Sequence, residues 1–169
     1  MRFLSTIGLL ALAVPLCALD SNKTLTQYAH RIWGQEEGLL QPTIYSILQS
    51  HDGFLWLGTQ DSLIRFDGIH FREFENAAEA GLQRTLIRSL SEDAAGNLWV
   101  ASLGSGAVRI SPNHQVKRFT KKEGLPEDDA FCVVPGAAGS MWVCTAPLPN
   151  EATQRLPAAS SDRERMRVR

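Results

Sequence analysis

Read for hydrophobic periodicity, the chain falls into short apolar runs separated by turn-forming residues. Thr43-Ile44-Tyr45-Ser46-Ile47-Leu48 is rich in strand formers, and His51-Asp52-Gly53 supplies a hairpin turn. Phe54-Leu55-Trp56-Leu57-Gly58-Thr59 follows as a nearly continuous apolar strand, suited to burial on both faces. Leu63-Ile64-Arg65-Phe66, the turn at Asp67-Gly68 and the alternating stretch from Ile69 to Phe74 complete a set of four predicted strands. Beyond the first eighteen residues no segment shows a helical apolar stripe of useful length.

The same layout returns at a fixed interval. Trp56, Trp99 and Trp142 stand 43 residues apart, and Gly53, Gly96 and Gly139 keep that interval three residues before each Trp. The pairs Gly38-Leu39, Gly81-Leu82 and Gly124-Leu125 repeat it again. Periods of about 40–50 residues mark propellers, solenoids or arrays, and four antiparallel strands per period is the unit of a β-propeller blade. The third copy runs as far as Ser140-Met141-Trp142-Val143-Cys144-Thr145, and Ala146-Pro147-Leu148-Pro149-Asn150 stands where its third strand should begin. The expectation is therefore an all-β chain, a partial β-propeller of about two and a half four-stranded antiparallel blades with ten strands. Gly53 and its equivalents serve the turn. Gly58 permits close packing of strands near the hub, and Ala101 and Cys144 at its place show that small size is what counts.

These residues resemble the two-component regulator propeller repeat. Gly53-Phe54-Leu55-Trp56-Leu57-Gly58-Thr59 and Leu63-Ile64-Arg65-Phe66 match its pattern, with Asp61-Ser62 where a second Gly is usual. Asp93-Ala94-Ala95-Gly96-Asn97-Leu98-Trp99-Val100 matches with Ala101-Ser102 in place of Gly-Thr, and Gly139-Ser140-Met141-Trp142-Val143 is the most diverged copy. The lead-in Thr26-Gln27-Tyr28 through Trp33 and Glu37-Gly38-Leu39 is also similar to the start of such sensors. The resemblance implies the N-terminal part of the periplasmic input domain of a hybrid histidine kinase or diguanylate cyclase. No second apolar span, phospho-accepting helix or nucleotide-binding motif follows the repeats, so only the sensory part of that activity is expected here.

The first residues read as an address. Met1-Arg2 is a charged start, Phe3 to Val14 an apolar run, and Pro15-Leu16-Cys17-Ala18 a small-residue exit, the three parts of a secretory signal peptide. Cleavage is expected after Ala18, which places the protein in the periplasm or outside the cell. The run is shorter than the roughly 20 residues that span a bilayer. Domain organisation follows: 1–18 signal, 19–37 lead-in, 38–146 repeats (about 38–80, 81–123 and 124–146), and 147–169 a non-repeat tail.

Composition narrows the partners. Lys and Arg total 17 against 18 Asp and Glu, a formal net charge of −1, which argues against nucleic acid. The balance conceals an Arg-rich end, with Arg155, Arg163, Arg165, Arg167 and Arg169 in a stretch without strand pattern. The loss of the repeat mid-blade suggests a frame change or truncated reading frame, testable by sequencing across codons 146–150. Three cysteines make no disulfide framework. Cys132 and Cys144 lie on adjacent strands of one hairpin, and the sequence leaves open whether they pair.

Candidate chemistry is sparse. His30, His51, His70 and His114 fall at unrelated points of the repeat without metal-ligand spacing. Glu36-Glu37 and Glu127-Asp128-Asp129 read as solvated loops rather than a catalytic carboxylate pair. Asp52 and Asp93 sit beside turn glycines without the alternating oxygen ligands of a calcium loop. Trp56, Trp99 and Trp142 read as blade packing before sugar stacking, and Trp33 as the exposed aromatic. No catalytic residue, metal or cofactor is expected, and the ligand-binding residues stay unknown. The reading is an exported ligand-binding input module for a small molecule or glycan. The alternatives are a secreted carbohydrate-active propeller enzyme, a non-functional truncated frame, or a chain that associates with itself or with other propeller blades.

Overall fold

Three antiparallel sheets succeed one another along the chain, each built by strands that hydrogen-bond to their sequence neighbours. A computed structural model describes residues 24, 31–41, 43–148 and 151–157, with residues from 146 onward described by their backbone. The signal and most of the lead-in lie outside the described residues, as do 158–169 of the tail. The sheets belong to one unit that begins at Trp33.

The first sheet is β1 (Ile44–Gln49), β2 (Leu55–Thr59), β3 (Leu63–Phe66) and β4 (Phe71–Glu73). The second is β5 (Ile87–Glu92), β6 (Leu98–Ser102), β7 (Gly106–Ile110) and β8 (Val116–Phe119). Between them one helical turn, α1 (Ala77–Ala80), buries Ala77 and Ala80. The third sheet holds β9 (Ala130–Pro135), β10 (Ser140–Leu148) and β11 (Glu151–Pro157). The fold is all-β, a partial propeller of four-stranded blades.

Two expectations change. Eleven strands are present among the described residues, not ten, because β11 pairs with β10 in the place of the missing third strand. Its register sets Trp142 against Arg155, as Trp56 faces Arg65 and Trp99 faces Arg109. Backbone pairing to an existing strand thus recruits a segment whose composition carries no strand pattern, since ladder hydrogen bonds need no particular side chain. The match is incomplete. Thr59 Oγ1 donates to the carbonyl of Ser62 and Ser102 Oγ to that of Gly106, whereas the equivalent Thr145 Oγ1 is buried and finds no partner among the described residues.

The core sits between blades. Each blade turns aliphatic residues to the blade before it and a tryptophan to the blade after it, the alternation a strand imposes. Trp56 lies with Phe74, Leu82, Ile87, Leu90, Val100 and Val108 in the first interface. Trp99, fully buried, lies with Phe119, Leu125, Ala130, Val133, Met141 and Val143 in the second. Burying such a side chain is worth about 1.5–3 kcal/mol. Trp142 is 40% exposed, because among the described residues no blade follows the third.

The opposite end is partly covered. Leu57, Ile64 and Phe66 of the first blade are packed by Leu39 and Trp33. Trp33 sets its ring edge-on to Phe66 at 4.8 Å and to Phe71 at 5.7 Å. The expectation that Trp33 is an exposed aromatic is corrected: a large apolar ring beside an uncovered sheet face gains more by lying on it.

Candidate functional site on the innermost strands

β1, β5 and β9 are the strands that pack against one another from blade to blade, which makes them the innermost. Serines stitch them together. The backbone N–H of Leu90 donates to Ser46 Oγ at 3.1 Å, and that of Val133 to Ser89 Oγ at 3.3 Å. Position 46 of the first repeat is position 89 of the second, so the same bond is made twice.

Each innermost strand carries one bulge, at the same place. Ile44 pairs with Thr59 and Ser46 with Gly58, which skips Tyr45. Ile87 pairs with Ser102 and Ser89 with Ala101, which skips Arg88. Ala130 pairs with Thr145 and Cys132 with Cys144, which skips Phe131. A bulge re-aims the extra residue out of the ladder, and bulges are frequent beside functional sites. All three side chains are exposed. They form a row: the Arg88 guanidinium carbon lies 5.5 Å from the Tyr45 ring centroid and 5.7 Å from that of Phe131. Among the described residues no carboxylate pairs with Arg88. The row contains one cation, two aromatic faces and no catalytic pair.

Neither the strand pattern nor the turn signals point to this row, because an exposed residue in a strand carries no periodic signal. Superposing the 43-residue repeats would have found it, since Tyr45, Arg88 and Phe131 occupy one repeat position.

The sequence-derived candidates fall elsewhere. Gly53, Gly96 and Gly139 take φ values of +90°, +78° and +69° in the hairpin turns, the left-handed region that glycine adopts without steric cost. At Gly58 a Cβ would lie 2.5 Å from Ile87 Cγ2 of the next blade. Trp56 and Trp99 are buried, and their indole N–H groups donate to Ser50 Oγ at 3.1 Å and to Asp93 Oδ2 at 2.8 Å. Gly136 holds that place in the third repeat, close enough that a Cβ would meet Trp142 Nε1 at 2.8 Å. The sequence carries no sign of this acceptor position, 50 and 93, because Ser50 and Asp93 differ in type and both stand in turns before a glycine. Asp93 is buried and also accepts from the backbone N–H groups of Ala95 and Asn97 and from Asn97 Nδ2. Burial works to raise its pKa, but the bonds from Trp99, Asn97 and Ala95 outweigh that and hold it below the ordinary carboxylate value.

The acidic loops are engaged in structure. Glu37 accepts from Gly34 N at 2.7 Å, Asp128 from Lys121 N at 2.7 Å, and Asp129 from Gly104 N at 2.8 Å. Glu127 pairs with Lys121 Nζ at 2.9 Å. Asp52 accepts from Ser50 Oγ. His51 Nδ1 lies 2.7 Å from Glu92, His70 beside Asp67 at 3.6 Å, and His114 edge-on to Phe74; His30 lies outside the described residues. Among the described residues no three His, Cys, Asp or Glu side chains gather as metal ligands, and no helix is long and apolar enough to cross a membrane. Cys132 and Cys144, facing each other across β9 and β10, are joined by a disulfide with Cα atoms 5.0 Å apart.

Comparison with known proteins agrees with this geometry. The family model described as the two component regulator propeller matches residues 38–61 and 81–104. No curated protein matches the chain. Among solved structures, the extracellular domain of BT4673 from B. thetaiotaomicron, described as part of a hybrid two component system, is 19% identical. It superposes with a TM-score of 0.56 over 66% of this chain and 17% of its own. The corresponding domain of BT3049 from the same organism is 18% identical, with a TM-score of 0.52 over 67% and 17%. A streptogramin B lyase is 18% identical, with a TM-score of 0.55 over 72% of this chain and 39% of its own. At such identities the likeness concerns the fold, and the chain spans less than half the length of each neighbour. The family model, falling on the same phase of two successive 43-residue periods, marks residues 38–61 and 81–104 as two-component regulator propeller repeats.

Proposed function

We propose that the chain is an exported sensory input module of the propeller type, binding a small molecule or glycan and performing no chemistry of its own. The observation that carries this reading is the bulged row of Tyr45, Arg88 and Phe131. Three repeats each present an exposed bulge residue at the same place on the innermost strand. The two-component regulator propeller repeats at 38–61 and 81–104 support the sensory role, and the signal-like residues 1–18 support export. The fold shared with a streptogramin B lyase makes an enzyme the competing reading. Against it stands the use of Glu127, Asp128 and Asp129 in holding loops.

Thermal-shift and calorimetric titration of the full chain against a panel of sugars, organic acids and small anions is the test. Saturable binding of at least one class, weakened tenfold or more by the Tyr45→Ala/Phe131→Ala double variant, is the expected outcome. Turnover of a bound compound would replace the sensory reading with the enzymatic one.

A second reading rests on Trp142. The interfaces between blades one and two and between two and three both bury this tryptophan position, and the third copy is 40% exposed. A second copy of the chain, meeting the first through the third blade, would bury it in the same way.

A further inference from the structure

Resting on the ligand-binding reading above, we propose that Arg88 is the anion-recognition point of a site for ring compounds that bear a carboxylate. The carboxylate takes the guanidinium's N–H fork, and the body of the ring lies along Tyr45 or Phe131.

Four observations on this row converge. The three residues come from three different blades, so only the assembled innermost strands bring them together. Arg88 stands between the two rings, 5.5 and 5.7 Å from their centroids, and this contact restricts a side chain that is otherwise among the most mobile. Among the described residues its N–H groups donate to no acceptor and no carboxylate lies within ion-pair distance, so the exposed guanidinium fork is open to a ligand. Lys121, by contrast, is paired with Glu127. Finally, the rings are 44% and 40% exposed, which leaves apolar surface beside the cation.

The chemistry these features select is specific. A planar guanidinium matches a carboxylate through two parallel N–H···O bonds, whereas an ammonium would act as a point charge. Aromatic faces beside the fork add affinity for a ring body and none for a small inorganic anion. Two sources carry this chemistry, an acidic sugar such as a uronate and an aromatic acid, and both present a planar carboxylate on a ring.

Isothermal titration of the full chain with glucuronate, benzoate, glucose and inorganic phosphate tests the proposal. Glucuronate or benzoate is expected to bind at least tenfold more tightly than glucose and phosphate, and the tighter of the two identifies the source. Arg88→Gln should weaken that ligand at least tenfold, and Arg88→Lys should recover only part of the loss, because the fork is gone while the charge remains. Near-ultraviolet circular dichroism, which reports the packed Trp56 and Trp99, should be unchanged in both variants. Glucose binding as tightly as glucuronate, or carboxylate binding that Arg88→Gln leaves intact, overturns the anion site while the ligand-binding module stands. Absence of saturable binding by every compound tested here and in the wider panel overturns both.

Discussion

At the scale of single residues, Asp93 shows how a repeat position acquires a job that its neighbours in sequence do not reveal. Its carboxylate gathers the Trp99 indole and two donors of Asn97 in a buried turn, where a missing acceptor would leave those donors unsatisfied. Asp93→Ala should therefore cost about 1–3 kcal/mol in urea unfolding. Asp93→Ser, which reproduces the Ser50 acceptor of the first repeat, should restore part of that. Because the folded-state pKa of Asp93 is lowered, the charge stabilises the native state at pH values above the unfolded value of about 3.9. That contribution is lost as pH falls through the folded pKa. The stability gap between wild type and Asp93→Ser should thus be full at pH 6 and shrink toward pH 2.5. A gap that is the same at both ends would show that the ionised form contributes nothing.

At the scale of elements, blades are matched by size as well as by pattern. Gly58 on β2 leaves room for Ile87 of β5, which is fully buried and has nowhere to retreat. One repeat later the same two places hold Ala101 and Ala130, both in the core of the second interface. A larger residue on one strand is met by a smaller one on the other. Gly58→Ala alone should destabilise the chain by about 1–3 kcal/mol, as overpacking does. Combined with Ile87→Ala, which copies the second interface, the pair should be less damaging than the sum of the single changes by at least about 0.5 kcal/mol. Strict additivity in thermal melts would sink the idea that these positions are fitted to each other. The innermost bulges belong to this scale too. The strand period in the sequence located β1, β5 and β9 correctly, but a bulge is a mismatch between two strands and cannot be read from either one.

At the scale of the whole molecule, the exposed Trp142 makes association the property to measure. Sedimentation velocity over a range of concentrations should show dimers at the upper end, and Trp142→Ser should return the chain to monomer. Assembly is expected to stop at two copies, because Trp33 and Leu39 already cover part of the first blade's outer face and impede a head-to-tail array. A monomer at every concentration, or a dimer indifferent to Trp142→Ser, would remove the second reading. The 43-residue period made this scale legible in outline, since it sets the blade count and the face each tryptophan occupies. Trp33 was misplaced because a lead-in outside the repeat has no periodicity to say what it covers.

By itself the sequence determined the fold class, the turn glycines and the interval that aligns one blade with the next. Those features follow from local rules, the strand alternation and the conformational freedom of glycine, which act over a few residues. Tertiary structure alone decided the rest: that Trp33 lies on the first blade, that β11 completes a sheet despite its composition, that Cys132 and Cys144 are joined, and that Tyr45, Arg88 and Phe131 meet. Each of these joins residues through the packing or pairing of whole strands. The candidate site exists because three blades stand side by side, and a chain read one residue at a time does not contain that adjacency.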